Sequence, residues 1–83
     1  MATRQVDLTS AAWVLISSAA RGTMQNQSGQ LVKYRTDAAL PLPAVTVGHI
    51  LDRGASEAWA FEPVQNLYGR LETGSGPLIV TEG

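Results

Sequence analysis

An all-β domain, a small antiparallel β-sandwich or barrel of about seven short strands, is what this 83-residue sequence predicts. Three observations lead there. Strand-length apolar or alternating runs recur every seven to twelve residues along the chain. Each run is bounded by Gly, Ser-Gly, Pro or Asp-Arg-Gly, the residues that turn a chain. Finally, no ten-residue window carries the 3.6-residue apolar period of an amphipathic helix. The short links point to antiparallel pairing, because a parallel crossover needs a dozen residues or more.

Taken in order, residues 1–7 read as an exposed N-terminal arm, with the β-domain spanning 8–83. Thr9 or Ser10 is placed to cap one helical turn before Trp13. Trp13 to Ser17 is a continuous apolar run of the kind buried on both faces of a sheet. After a turn at Ala19 to Gly22, a polar strand at Thr23–Gln27 and an alternating one at Leu31–Arg35 flank Ser28-Gly29 and read as a hairpin. In the second of these, Val32 and Tyr34 should face inward and Lys33 and Arg35 outward. Thr36 to Val47 breaks the rhythm: Pro41 and Pro43 cannot donate to a ladder and extend the residues before them. A loop of that length in so short a chain is usually functional or docked. Gly48–Leu51, Glu57–Phe61, Leu67–Glu72 and Leu78–Thr81 complete the strands, with Gly74-Ser75-Gly76-Pro77 as the last turn.

Composition bounds the function. A chain of this length holds one core and is marginal alone, so a staple is expected. The sequence has no cysteine and one histidine, which removes disulfides and thiolate metal sites as staples and leaves association with other chains. Charged residues make up 16% of the chain against 45% hydrophobic, with six basic and seven acidic groups. Such low charge suits a surface buried against neighbours, and it also suits a plain Ser/Thr-rich β-surface. The six basic residues are dispersed, which argues against nucleic-acid binding. No stretch reaches the roughly 20 apolar residues of a membrane span, and the first residues lack the order of a secretory signal.

Catalytic and cofactor signals are weak. His49 has no nucleophile or carboxylate partner in evidence and reads as a strand-start histidine bonded to backbone. The serines lie outside any Gly-x-Ser-x-Gly elbow, and Asp52, Glu57, Glu62 and Glu72 look like solvated strand ends. The Gly-Ser-Gly turn lacks the Lys-Ser/Thr and helix of a phosphate loop. Trp13, Trp59, Phe61, Tyr34 and Tyr68 could form a carbohydrate or base-stacking platform, but in so short a chain aromatics are mostly core. No enzyme, no cofactor and no metal are the resulting expectations.

One resemblance covers nearly the whole chain. Thr9-Ser10-Ala11-Ala12-Trp13, Gln25-Asn26 before a Gly turn and a Lys-Tyr-Arg strand come first. A Pro-containing loop into Gly48-His49-Ile50-Leu51 follows, then Leu67-Tyr68-Gly69-Arg70 and a closing Ile79-Val80-Thr81. In that order these motifs resemble small β-sandwich proteins of bacteriophage virions, which decorate or cement capsids or serve as tail and fibre modules. The resemblance implies a non-enzymatic structural protein located in the virion. It also implies a homotrimer seated at three-fold sites, with itself and the major capsid protein or another virion protein as partners, and neither nucleic acid nor membrane. Partner contacts are then expected from the arm and loop, at Arg4, Val6, Leu40, Pro41, Leu42 and Pro43, and from Trp59. A tail, tail-tip or fibre-associated module is the alternative within that class. A free-standing carbohydrate- or nucleic-acid-binding module is the alternative from another.

Overall fold

The computed structural model describes residues 2–83, and the fold is all-β, with no helix among the described residues. The described residues form eight strands: β1 (Ala2–Thr9), β2 (Val14–Ser17), β3 (Arg21–Asn26), β4 (Val32–Asp37), β5 (His49–Leu51), β6 (Ser56–Ala60), β7 (Asn66–Leu71) and β8 (Ser75–Glu82). They form two four-stranded antiparallel sheets, ordered β1-β8-β3-β6 and β2-β7-β4-β5. We call these sheet A and sheet B.

The pairing has a simple rule. β4 pairs with β5, β3 with β6, β2 with β7 and β1 with β8. The chain is thus a folded ribbon whose inner and outer pairs are rolled together by two further ladders, β3–β8 and β4–β7. This is the order of a jelly roll. Each link between consecutive strands crosses from one sheet to the other, except the one joining β4 to β5.

Both sheets turn one face to a shared core. Val6 and Leu8 of β1, Met24 of β3, Trp59 of β6 and Leu78 and Val80 of β8 supply it from sheet A. Ile16, Val32, Leu51, Leu67 and Leu71 supply it from sheet B. Burying each such aliphatic chain stabilises the fold by about 1.5–3 kcal/mol. Trp59 fits because its register partner is Gly22, where a Cβ would sit 2.7 Å from the indole and 2.5 Å from the Thr81 carbonyl. The fully buried Asn26 has all its polar atoms satisfied. Its Nδ2 donates to the carbonyls of Gln30 (2.6 Å), Leu51 (3.1 Å) and Asp52 (3.2 Å), and its Oδ1 accepts from the Ser28 amide and hydroxyl. It joins the β3–β4 turn to the β5–β6 turn.

Several sequence expectations need correcting. Residues 2–7 are not a free arm: they belong to β1, in register with β8 from Ala2 opposite Glu82 to Thr9 opposite Ser75, while Met1 lies outside the described residues. Alternation explains this, since Val6 points into the core beside Leu8 where a free arm would leave it in water. The described residues therefore hold eight strands where about seven were expected. Thr9 caps no helix; its hydroxyl accepts from the Ala11 amide in a bend. The apolar run at Trp13–Ser17 is an edge strand with Leu15 46% exposed, not one buried on both faces. The hairpin expected across Ser28-Gly29 does not form, because β3 and β4 lie in different sheets. Gly76 and Pro77 fall inside β8; the ring of Pro77 is tolerated there because the β3 ladder ends at Asn26 opposite Leu78.

Candidate functional site

Outward residues of sheet B begin the site. Lys33 and Arg35 on β4 and Arg70 on β7 alternate with core residues, so their side chains stand on the outer face. Trp13, one residue before β2, and Tyr68 of β7 are buried yet lie outside the main core cluster. The long segment from Ala38 to Gly48 covers this face as a strap. Its backbone carbonyls are the points of attachment. The Trp13 indole donates to the Val45 carbonyl at 2.8 Å. Arg70 donates to those of Pro43 (2.7 Å) and Val45 (3.1 Å), and to Ser10 at 2.5 Å. Lys33 Nζ reaches Thr46 at 2.8 Å and Arg35 Nη1 reaches Val47 at 3.0 Å. Asn66 holds the strap's start through the Ala38 carbonyl.

Two guanidiniums flank the Trp13 ring, with Arg70 Cζ 5.5 Å and Arg35 Cζ 5.9 Å from its centroid. Arg35 is further fixed by a two-pronged pair with Asp37, at 2.5 and 3.2 Å. Gly48 lets the strap return closely: a Cβ there would lie 3.0 Å from the Tyr34 carbonyl and 3.2 Å from the Trp13 ring. The consequence is an inversion of the usual loop. Its backbone is held inward by cations, and its large apolar side chains face water: Leu40 is 60% exposed, Leu42 72% and Val47 76%.

A second feature lies on the side of the sandwich bounded by the edge strands β5 and β6. There a cleft of about 580 Å³ opens between the sheets, floored by Met24 and Leu67 and walled by Tyr34, His49, Trp59 and Phe61. The Tyr34 and His49 rings stack with centroids 5.4 Å apart, so His49 leans on an aromatic ring where a bond to backbone was expected. Glu57 also lines the cleft. Burial first, and then the Glu57 charge, push the Tyr34 hydroxyl above its usual 10.0. The opposite side of the sandwich is closed: Arg4 of β1 donates to the Ile16 carbonyl of β2, and Ser17 of β2 to Glu82 of β8.

The seven residues expected to meet a partner are thus dispersed. Arg4 is engaged by Glu82 and Ile16, and Val6 is in the core. Trp59 is 7% exposed and its indole donates to the Ala19 carbonyl at 3.2 Å. Leu40, Pro41, Leu42 and Pro43 stay together on the strap, with Leu40, Leu42 and Pro43 exposed and Pro41 half-buried. Sequence reasoning missed Lys33, Arg35 and Arg70 as strap anchors; the alternation that sets Lys33 and Arg35 outward just before the strap was the available signal. It also read Glu57 as a solvated strand end; the residue is exposed, but its alternation with Ala58 and Ala60 places it on the inner face beside Trp59, at the mouth of the cleft. No cluster of metal-ligating side chains occurs among the described residues. Comparison with protein-family models, curated proteins and solved structures finds no match.

Proposed function

We propose that this chain is a non-enzymatic structural protein of a bacteriophage virion, a cement or decoration module that binds between major capsid subunits. The observation carrying this reading is the strap. A segment fixed at five carbonyls and presenting Leu40, Leu42 and Val47 to solvent is a preorganised apolar ridge. Such a ridge docks without first ordering a loop, which saves roughly 1–2 kcal/mol of backbone entropy for each residue held in place. Jelly-roll sandwiches recur in viral capsid proteins and in lectins, which agrees with this reading but does not select it. The order of motifs along the chain adds the phage assignment, and three-fold lattice sites add the trimer.

The test replaces Leu40 and Leu42 together with Ser. Both are exposed, so the thermal midpoint should hold, while binding to capsids of the phage that carries the gene should fall at least tenfold, about 1.4 kcal/mol. Unchanged capsid binding by a folded double variant removes the proposal. Counting copies per virion by mass spectrometry separates the two virion roles. Hundreds accord with capsid decoration, and a dozen or fewer would move the protein to the tail.

A further inference from the structure

β6 is an edge strand with one free side, and its register shows which groups are free. Phe61 donates to the Ala20 carbonyl and Asn26 to that of Ala55, so odd-numbered β6 residues bond to β3. In an antiparallel ladder the residues between them point the other way. Ser56, Ala58 and Ala60 therefore direct N–H and C=O groups off the edge, and their side chains are small. β6 carries neither Lys nor Pro, two of the usual guards of an exposed edge. Another guard is present: Glu57, in register with the buried Met24, faces inward at the mouth of the cleft. Among the described residues it forms no ion pair.

An inward charge on an edge is ordinarily a deterrent, since a strand laid beside it would trap the carboxylate against apolar groups. Here the deterrent is selective. A strand added to β6 points alternate side chains into the cleft, beside Glu57 and towards Tyr34, His49 and Phe61. A neutral strand leaves Glu57 without a partner, and a second β6 brings a second carboxylate. A strand with a basic residue at an inward position supplies the missing charge and lays its alkyl stem along aromatic walls. We propose that the open edge of β6 is a strand-addition site for an extended segment of a partner protein carrying a Lys or Arg, with Glu57 as the residue that selects it. This goes beyond the capsid reading and does not depend on the strap.

The probe is a seven-residue peptide alternating threonine and valine with lysine at its centre, compared with the same peptide carrying norleucine there. Titrated into the ¹⁵N-labelled protein, the lysine peptide should shift the amides of Ser56, Ala58 and Ala60 saturably. The norleucine peptide should bind about two- to fivefold more weakly, as expected for a partly exposed pair. Glu57→Gln should bind the two peptides alike, and Glu57→Lys should prefer a glutamate-centred peptide. Ala58→Pro removes an N–H that β3 does not use, so it should keep a dispersed spectrum and bind neither peptide. Equal binding of both peptides by the unaltered protein, or peptide binding retained in folded Ala58→Pro, overturns the proposal. A dimer that dissolves in Ala58→Pro, with no peptide binding, also overturns it and makes the occupant a second copy. Because Leu40 and Leu42 are untouched, failure here leaves the capsid reading standing.

Discussion

Glu82 shows how one carboxylate can close a sandwich. Arg4 Nε donates to its Oε1 at 2.9 Å and Ser17 Oγ donates to its Oε2, which ties β8 to strands of both sheets. Both bonds favour the ionised form, the Arg4 bond most, and hold the acid below its ordinary value of 4.5. A group depressed on folding stabilises the native state fully above its unfolded value, and that contribution is lost as pH falls through the folded one. Glu82→Gln should therefore lower the urea midpoint at pH 7, and the gap to the unaltered protein should narrow steadily below about pH 5. A gap that widens in acid would exclude this role. None of this was legible from the chain alone, where Glu82 is one more terminal acid. Asn26 is similar: its neighbours Ser28 and Gly29 signal a turn, but not that the turn wraps a buried amide.

At the scale of the element, the strap is the informative case. The prolines and the length of the segment were legible as a break, and the outward setting of Lys33 and Arg35 followed from alternation. That these cations take hold of the strap's own carbonyls did not follow, because it depends on β7 lying beside β4 and bringing Arg70 into the same group. Arg70 has the most attachments, donating to three carbonyls. Charge-assisted bonds to a partly buried guanidinium are worth about 1.5–3 kcal/mol each before solvent screening, so Arg70→Met should cost about 2 kcal/mol in urea unfolding. Protease cleavage between Ala38 and Gly48 should rise well before global unfolding. Resistance equal to the unaltered protein would mean that Trp13 and Arg35 suffice. Arg70→Lys should rescue only part of the loss, because one ammonium cannot span carbonyls that a planar fork reaches together.

For the whole molecule, the class was legible and the connectivity was not. Turn spacing reveals where strands stop but not which sheet follows, and six of the seven links here change sheets. The hairpin placed across Ser28-Gly29 failed for that reason: Gly29, at φ 77°, does turn the chain, but into the opposite layer. The β1 error has a matching cause. Thr3 to Gln5 is polar and gains its place only because β8, some seventy residues later in the chain, offers a ladder.

That nested pairing bears on how quickly such a chain can find itself. Ala2 and Glu82 would meet slowly if they had to search for each other directly, since closing a loop costs more entropy as it lengthens. With β4 and β5 already joined, β3 and β6 are separated only by two short turns, and the same holds outward for β2 with β7 and β1 with β8. The route from the middle to the ends replaces one closure of the whole chain by a first closure across the strap and three short ones, a gain in rate that the native separation of contacts alone would conceal. Pulse-labelled hydrogen exchange should protect amides of β3 through β6 before those of β1, and a β1–β8 ladder protected first would show that the ends lead.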